Sequence, residues 1–117
     1  MNKKSLNPQI KFICNAFSLQ MLDLNAACSV EIRPVSLSEA RELAKGAESA
    51  VGHPDTASVF TSQLNTPVPM NRISVQLSSG DSILVGQLVG GRLPEGATQL
   101  PDGFAIKWLL VSIREVA

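Results

Sequence analysis

The sequence predicts an α+β fold in which a single mixed five-stranded sheet carries two to three helices. Three observations favour this fold: five segments have the polarity pattern of strands, two segments begin with helix-capping signals, and most of the strands follow the helices. The chain has 117 residues, 44% of them hydrophobic, which suits one domain with its own core. We expect a flexible N-terminal extension over residues 1–9 and a single domain over residues 10–117.

Five strands are predicted from residues that favour β structure and either alternate in polarity or form short apolar runs. They cover residues 10–17, 26–35, 72–77, 83–89 and 104–115. Pro34 near the end of the second strand cannot donate to a β ladder, so this strand is expected at a sheet edge. A single helical turn or tight turn is expected over residues 18–22, between the first two strands.

Two helices are predicted from their first residues. Ser36 and Glu39 form a capping-box pattern that opens a helix over residues 38–46, and Gly46 suits the left-handed position at its end. Pro54 is typical of a first helical position and begins the second helix. That helix is expected to bury one face, formed by Ala57, Phe60 and Leu64.

Residues 90–103 form a long loop that contains four of the eight glycines and two of the prolines. A loop of this length in a small domain is usually functional or disordered. Its sequence matches neither a phosphate-binding P-loop nor a dinucleotide-binding fingerprint.

Charge and composition exclude several classes of protein. Ten Lys and Arg residues balance ten Asp and Glu residues, which argues against a general coat for DNA or another polyanion. The apolar stretch 104–116 contains Lys107 and Arg114 and is shorter than the ~20 residues of a membrane helix. We therefore expect neither DNA nor a membrane as a partner.

The cysteines and the N-terminal residues predict a cytoplasmic protein. Cys14 and Cys28 lie in separate apolar runs, and two cysteines with one histidine cannot form a tetrahedral structural zinc site within one chain. No metal ion or other cofactor is expected. The first residues lack the apolar stretch of a signal peptide, so the thiols are expected to be reduced inside a cell.

His53 is the first candidate for chemistry because it is the only histidine and lies at the predicted start of the second helix. Unpaired backbone N–H groups and the helix dipole favour an anion at that position. A phosphate bound there would contact both the imidazole and the helix end. The alternative is a histidine that only caps the helix.

Arg92 and Glu95 are the next candidates because they lie three residues apart in the glycine-rich loop. Such a pair could stabilise charge and accept a proton, or it could be an ordinary surface ion pair. Arg72 could bind a phosphate through two N–H groups or simply face water. Asn15 and Ser18 could contact a ligand or could only close a turn.

Six short motifs occur in the order found in a known family. They are N-A-F-S at 15–18, S-L-S-E-A-R-E-L at 36–43, S-A-V-G-H at 49–53, D-T-A at 55–57, N-R-I-S-V at 71–75 and R-L-P-E-G at 92–96. In this order they resemble the viral anti-CRISPR ring nucleases, small proteins of archaeal viruses and phages with cellular relatives associated with type III CRISPR systems. The resemblance extends over nearly the whole chain from about residue 10.

The resemblance implies a metal-independent, homodimeric enzyme that opens cyclic tetra-adenylate, the second messenger of type III CRISPR defence. In such an enzyme the 2′-hydroxyl of the ligand attacks the adjacent phosphorus and leaves a 2′,3′-cyclic phosphate. By resemblance, His53 would protonate the 5′-oxygen and Glu95 would activate or orient the 2′-hydroxyl. Arg92 and Arg72 would hold the scissile phosphate and the backbone of the ring, and Arg92 would be the third catalytic residue. Asn15, Ser18 and Gln87 would line the adenosine pocket, with Gly52 at the binding site.

Two other functions remain open at the level of sequence. A protein that sequesters the cyclic nucleotide without cleaving it would carry the same motifs. A nucleic-acid-binding or structural viral protein is less consistent with the neutral charge and with an aromatic content of 4%, which leaves few side chains for base stacking.

Overall fold

The computed structural model describes residues 9–116. All of the predicted N-terminal extension except Gln9 therefore lies outside the described residues. The strands are β1 (Phe12–Cys14), β2 (Cys28–Val35), β3 (Glu48–Ser49), β4 (Ser82–Val89) and β5 (Ala105–Glu115). The helices are α1 (Leu37–Ala44) and α2 (Pro54–Leu64), with a 3₁₀ turn at Leu19–Met21.

The strands form one mixed sheet in the order β2-β5-β4-β1-β3. Strand β1 pairs in parallel with both β3 and β4, whereas β5 pairs antiparallel with β4 and β2. The predicted fold class is thus confirmed, and β2 lies at an edge of the sheet as Pro34 indicated.

One predicted strand was wrong and another was missed. Residues 72–77 form no ladder and make only an isolated bridge between Leu77 and Leu22. Their alternating pattern is real, because Val75 and Leu77 are buried against one sheet face. An extended segment that crosses a sheet face alternates as a strand does, so alternation did not reveal whether a ladder partner exists. The fifth strand is instead the two-residue β3, within residues 47–52 that link the two predicted helices.

Both helices begin as their sequences predict. The hydroxyl of Ser36 accepts a 3.0 Å hydrogen bond from the backbone N–H of Glu39, which caps α1. Pro54 is the first residue of α2, where its missing N–H costs nothing. Helix α2 ends at Leu64, and the next residue, Asn65, caps it with a left-handed φ of 54°.

Helix α2 is held on the sheet by an aromatic contact. The rings of Phe60 and Trp108 meet edge to face with centroids 4.9 Å apart. Both rings close over Gly86 of β4, where an added Cβ would lie 2.6 Å from an atom of each ring. Glycine at this position is what lets α2 approach the sheet so closely.

The opposite face of the sheet is covered in part by irregular segments. Leu22, Val75 and Leu77 pack there against Val85 and Val111. No helix among residues 9–116 is both long and apolar enough to cross a membrane.

Replacing Gly86 with alanine tests the aromatic contact. The added methyl group would overlap both rings, and we expect the free energy of unfolding to fall by about 1–3 kcal/mol. Urea denaturation followed by Trp108 fluorescence measures this change. If the cause is overpacking, adding Phe60→Leu should destabilise the Gly86→Ala protein by less than it destabilises the wild type. Additive losses would contradict the explanation.

Candidate functional site

A cleft of about 810 Å³ lies at one edge of the sheet. Four segments contribute to it: the residue after β1, the start of α2, the end of β4 and the glycine-rich loop. Its lining consists of Asn15, His53, Pro54, Asp55, Thr56, Leu88, Arg92, Leu93 and Glu95. The three residues assigned to catalysis by resemblance are therefore neighbours around one space, although they come from two distant parts of the chain.

The topology of the sheet explains why these residues meet. Strands β4, β1 and β3 are adjacent and parallel, so their carboxyl ends lie at the same edge. Asn15 directly follows β1, His53 follows β3 after a short connection, and Arg92 follows β4. In open sheets with parallel strands, ligands commonly bind at this carboxyl edge.

His53 is exposed and occupies the N-cap position of α2. Its carbonyl accepts the first hydrogen bond of the helix, from the N–H of Ala57 at 3.0 Å. Its imidazole makes no capping hydrogen bond, so the cap-only alternative lacks the contact it would require. The ring is therefore available to a ligand in the cleft.

The first turn of α2 adds polar groups that were not among the candidate site residues predicted from the sequence. The N–H groups of Asp55 and Thr56 have no carbonyl partner within the helix because they belong to its first turn. Both side chains line the cleft and are half-buried. The signal available in the sequence was their position directly after Pro54, within the D-T-A motif.

Arg92 and Glu95 are exposed in the loop that follows β4. Within the described part of the chain, no ion pair shorter than 4.0 Å joins Arg92 or Glu95 to another side chain. The alternative of a surface ion pair between them is thus not realised. The loop starts at Gly90, where φ is 123° and a Cβ would lie 3.0 Å from the carbonyl oxygen of Gly103. Glycine is needed there because the two ends of the loop nearly touch.

Four residues assigned to ligand binding do not line this cleft. The hydroxyl of Ser18 caps the 3₁₀ turn by accepting from the N–H of Gln20. Gln87 pairs with Lys107 in the ladder and lies on the face opposite its neighbour Leu88. The other two are Gly52 and Arg72, which contact each other. Arg72 donates to the Gly52 carbonyl from Nε at 3.2 Å and from Nη2 at 2.8 Å.

Cys14, the cysteine nearest in sequence to the residues of the cleft, is unreactive. Cys14 immediately precedes Asn15 but is buried, and burial raises the pKa of its thiol to about 11. It therefore stays protonated at neutral pH and is a poor nucleophile. Among residues 9–116, no three His, Cys, Asp or Glu side chains are grouped so that they could hold a metal ion.

These features define a class: a small α+β protein with a polar cleft at the carboxyl edge of three parallel strands. The chain belongs to the STIV B116-like family of archaeal virus proteins, whose profile matches residues 11–103. This membership confirms the viral part of the resemblance seen in the sequence.

The chain is similar to other viral proteins. Uncharacterized protein 26 of Sulfolobus islandicus filamentous virus (isolate Iceland/Hveragerdi) is 36% identical over 69 residues. That match spans 57% of this chain and 58% of the relative, little more than half of its length. The solved structure of B116 of Sulfolobus turreted icosahedral virus has a TM-score of 0.72 at 24% identity, covering 88% of this chain and 98% of that chain. The second likeness shows the shared fold.

Because the imidazole of His53 makes no capping hydrogen bond, we predict that it contributes little to the free energy of unfolding. Replacing His53 with alanine removes no capping bond, so the free energy of unfolding should change by less than about 0.5 kcal/mol. Ser36→Ala is the matched comparison, because it removes a hydrogen bond that does cap a helix and should cost about 0.5–2 kcal/mol. Urea denaturation of both variants measures the difference. A loss for His53→Ala as large as that for Ser36→Ala would show that the histidine is structural.

Proposed function

We propose that the protein is a metal-independent ring nuclease that cleaves cyclic tetra-adenylate into linear products with 2′,3′-cyclic phosphate ends. The observation that carries this proposal is the convergence of His53, Arg92 and Glu95 on one cleft at the start of α2. When a ribose hydroxyl attacks a phosphodiester, the reaction requires an acid, a cation and a carboxylate. By this activity the protein would switch off type III CRISPR signalling.

The proposed reaction is a transesterification within the ligand. The 2′-oxygen forms a bond to phosphorus while the bond from phosphorus to the 5′-oxygen breaks. Glu95 accepts the proton of the attacking hydroxyl or orients it, and protonated His53 gives a proton to the departing 5′-oxygen. Arg92 and the N–H groups of the first turn of α2 stabilise the negative charge on the phosphate. No water is consumed in this step.

The charge of the protein shapes how the ligand binds. The formal net charge is zero, so a long-range field cannot attract a ring of four phosphates. Binding then depends on local groups, namely Arg92, the helix end and the polar side chains around them. The half-buried carboxylate of Asp55 would repel a phosphate but would accept a hydrogen bond from a ribose hydroxyl or an adenine amino group.

A homodimer is part of the proposal. His53, Arg92 and Glu95 are all exposed, so a ligand in the cleft of one chain would remain open to solvent on one side. A two-fold dimer would supply a second wall and would match the symmetry of the cyclic ligand. The sheet face opposite the helices also leaves Ile32 54% and Val89 41% exposed, which a second copy could cover.

The viral family suggests where this activity would be useful. A virus protein that removes a defence messenger would act in the cytoplasm of the infected host, where the messenger is made. Cyclic tetra-adenylate is then the expected partner, rather than DNA or a membrane.

Incubation with cyclic tetra-adenylate in EDTA tests the proposed reaction. The wild type should give linear product with a 2′,3′-cyclic phosphate, resolved by chromatography and identified by mass. His53→Ala should be about 10²- to 10⁴-fold slower because it lacks the general acid. Arg114→Ala is the matched control: it also removes an exposed polar side chain, but on β5 and paired with Glu31.

Three other results of this experiment have defined meanings. Intact ligand that co-elutes with the protein would replace the enzyme proposal with sequestration. Cleavage that His53→Ala does not slow would contradict the assigned acid. Absence of both cleavage and binding would contradict the proposed ligand.

A further inference from the structure

We infer that Arg72 is a positioning residue that acts on His53 through the carbonyl group of Gly52. The inference rests on the proposed function of His53 and goes beyond it, because the resemblance gave Arg72 only a direct contact with the ligand. The observation is the forked hydrogen bond from its guanidinium to the carbonyl oxygen immediately before His53.

The geometry of this hydrogen bond restricts the backbone. Nε and Nη2 of Arg72 both donate to one oxygen, and the planar guanidinium holds the two N–H groups in a fixed relation. The Gly52 carbonyl belongs to the peptide bond that carries the N–H of His53. The peptide group is planar, so fixing that oxygen also fixes the orientation of the N–H of His53. It thereby fixes the direction in which the chain enters α2.

The backbone freedom of Gly52 gives this restraint its importance. Glycine has more accessible backbone conformations than any other residue, so an unrestrained Gly52 would let His53 move. An added Cβ at Gly52 would lie 3.4 Å from Cγ and 3.5 Å from Nε of Arg72. The arginine side chain thus lies directly against the backbone that it holds.

Hydrogen bonds with residues 69–72 restrain the end of β3 and the connection from β3 to α2. The hydroxyl of Ser49 donates to the Pro69 carbonyl at 2.6 Å, and the side-chain amide of Asn71 donates to the Ser49 carbonyl at 2.7 Å. The backbone N–H of Asn71 donates to the Val51 carbonyl at 2.8 Å. Arg72 makes the last of these contacts, nearest to His53.

The two arginines are consequently assigned different tasks. Arg92 lines the cleft, where its guanidinium can contact a phosphate. Arg72 does not line it, and two of its five N–H donors are already used on Gly52. Loss of Arg72 should therefore disturb the chemical step more than ligand affinity.

Steady-state kinetics of Arg72→Ala and Arg72→Lys in EDTA test this assignment. We expect kcat to fall about 10- to 100-fold for Arg72→Ala, while KM changes less than about threefold. Lysine keeps the charge but cannot donate from two fixed N–H groups, so Arg72→Lys should recover little of the loss. A KM that rises with kcat unchanged, or full recovery by lysine, would overturn the inference in favour of direct phosphate contact.

A double-mutant cycle separates an effect through His53 from a general structural one. If Arg72 acts through the imidazole, Arg72→Ala should slow cleavage little further once His53 is alanine. Arg114→Ala serves as the control arginine because its partner, Glu31, lies on the edge strand β2. Losses that multiply in the double variant would overturn the inference.

Proton NMR of His53 provides a readout that does not depend on activity. The chain has a single histidine, so its imidazole Cε1–H signal is unambiguous. At fixed pH this signal should shift in Arg72→Ala and remain unchanged in Arg114→Ala. An unmoved signal in Arg72→Ala would overturn the inference even if the wild type cleaves. Failure of the wild type to cleave, with a shifted signal, would instead count against the proposed function alone.

Discussion

The edge-to-face contact between Phe60 and Trp108 is the interaction on which the arrangement of the site depends. The two rings meet 4.9 Å apart over Gly86, so a helix, a central strand and its neighbour are joined at one point. This contact determines how α2 lies on the sheet and hence where its first turn is directed. If the helix shifted, His53 would move away from the carboxyl edge of the sheet, where Asn15 follows β1 and Arg92 follows β4.

Local signals in the sequence predicted much of this fold, whereas pairing of strands was harder to predict. The capping pattern at Ser36 and the proline at 54 located both helices because these signals act within a few residues. Strand β3 has only two residues, too few to show any periodicity. Residues 72–77 alternate because one side contacts the sheet face, and no local pattern encodes the absence of a ladder partner.

The candidate site was predictable to a similar extent. The motifs selected His53, Arg92, Glu95 and Asn15, and all four line one cleft. Gln87 lies beside Leu88 in the sequence but on the other sheet face. The register of the strand decides which of these two side chains is directed toward α2. Arg72 has the residue type of a phosphate ligand, yet its guanidinium lies on a backbone carbonyl that sequence alone could not identify.

The central claim is that the start of α2 and the loop after β4 bind the phosphates of one cyclic nucleotide. The most direct measurement is a ¹H–¹⁵N NMR titration, in EDTA, with a tetra-adenylate ring lacking 2′-hydroxyls, which cannot undergo the proposed reaction. We predict saturable shifts concentrated at Asn15, residues 53–56 and residues 92–95. Shifts concentrated around Arg114 and Glu31, away from the cleft, or no shifts at saturating ligand, would contradict the claim.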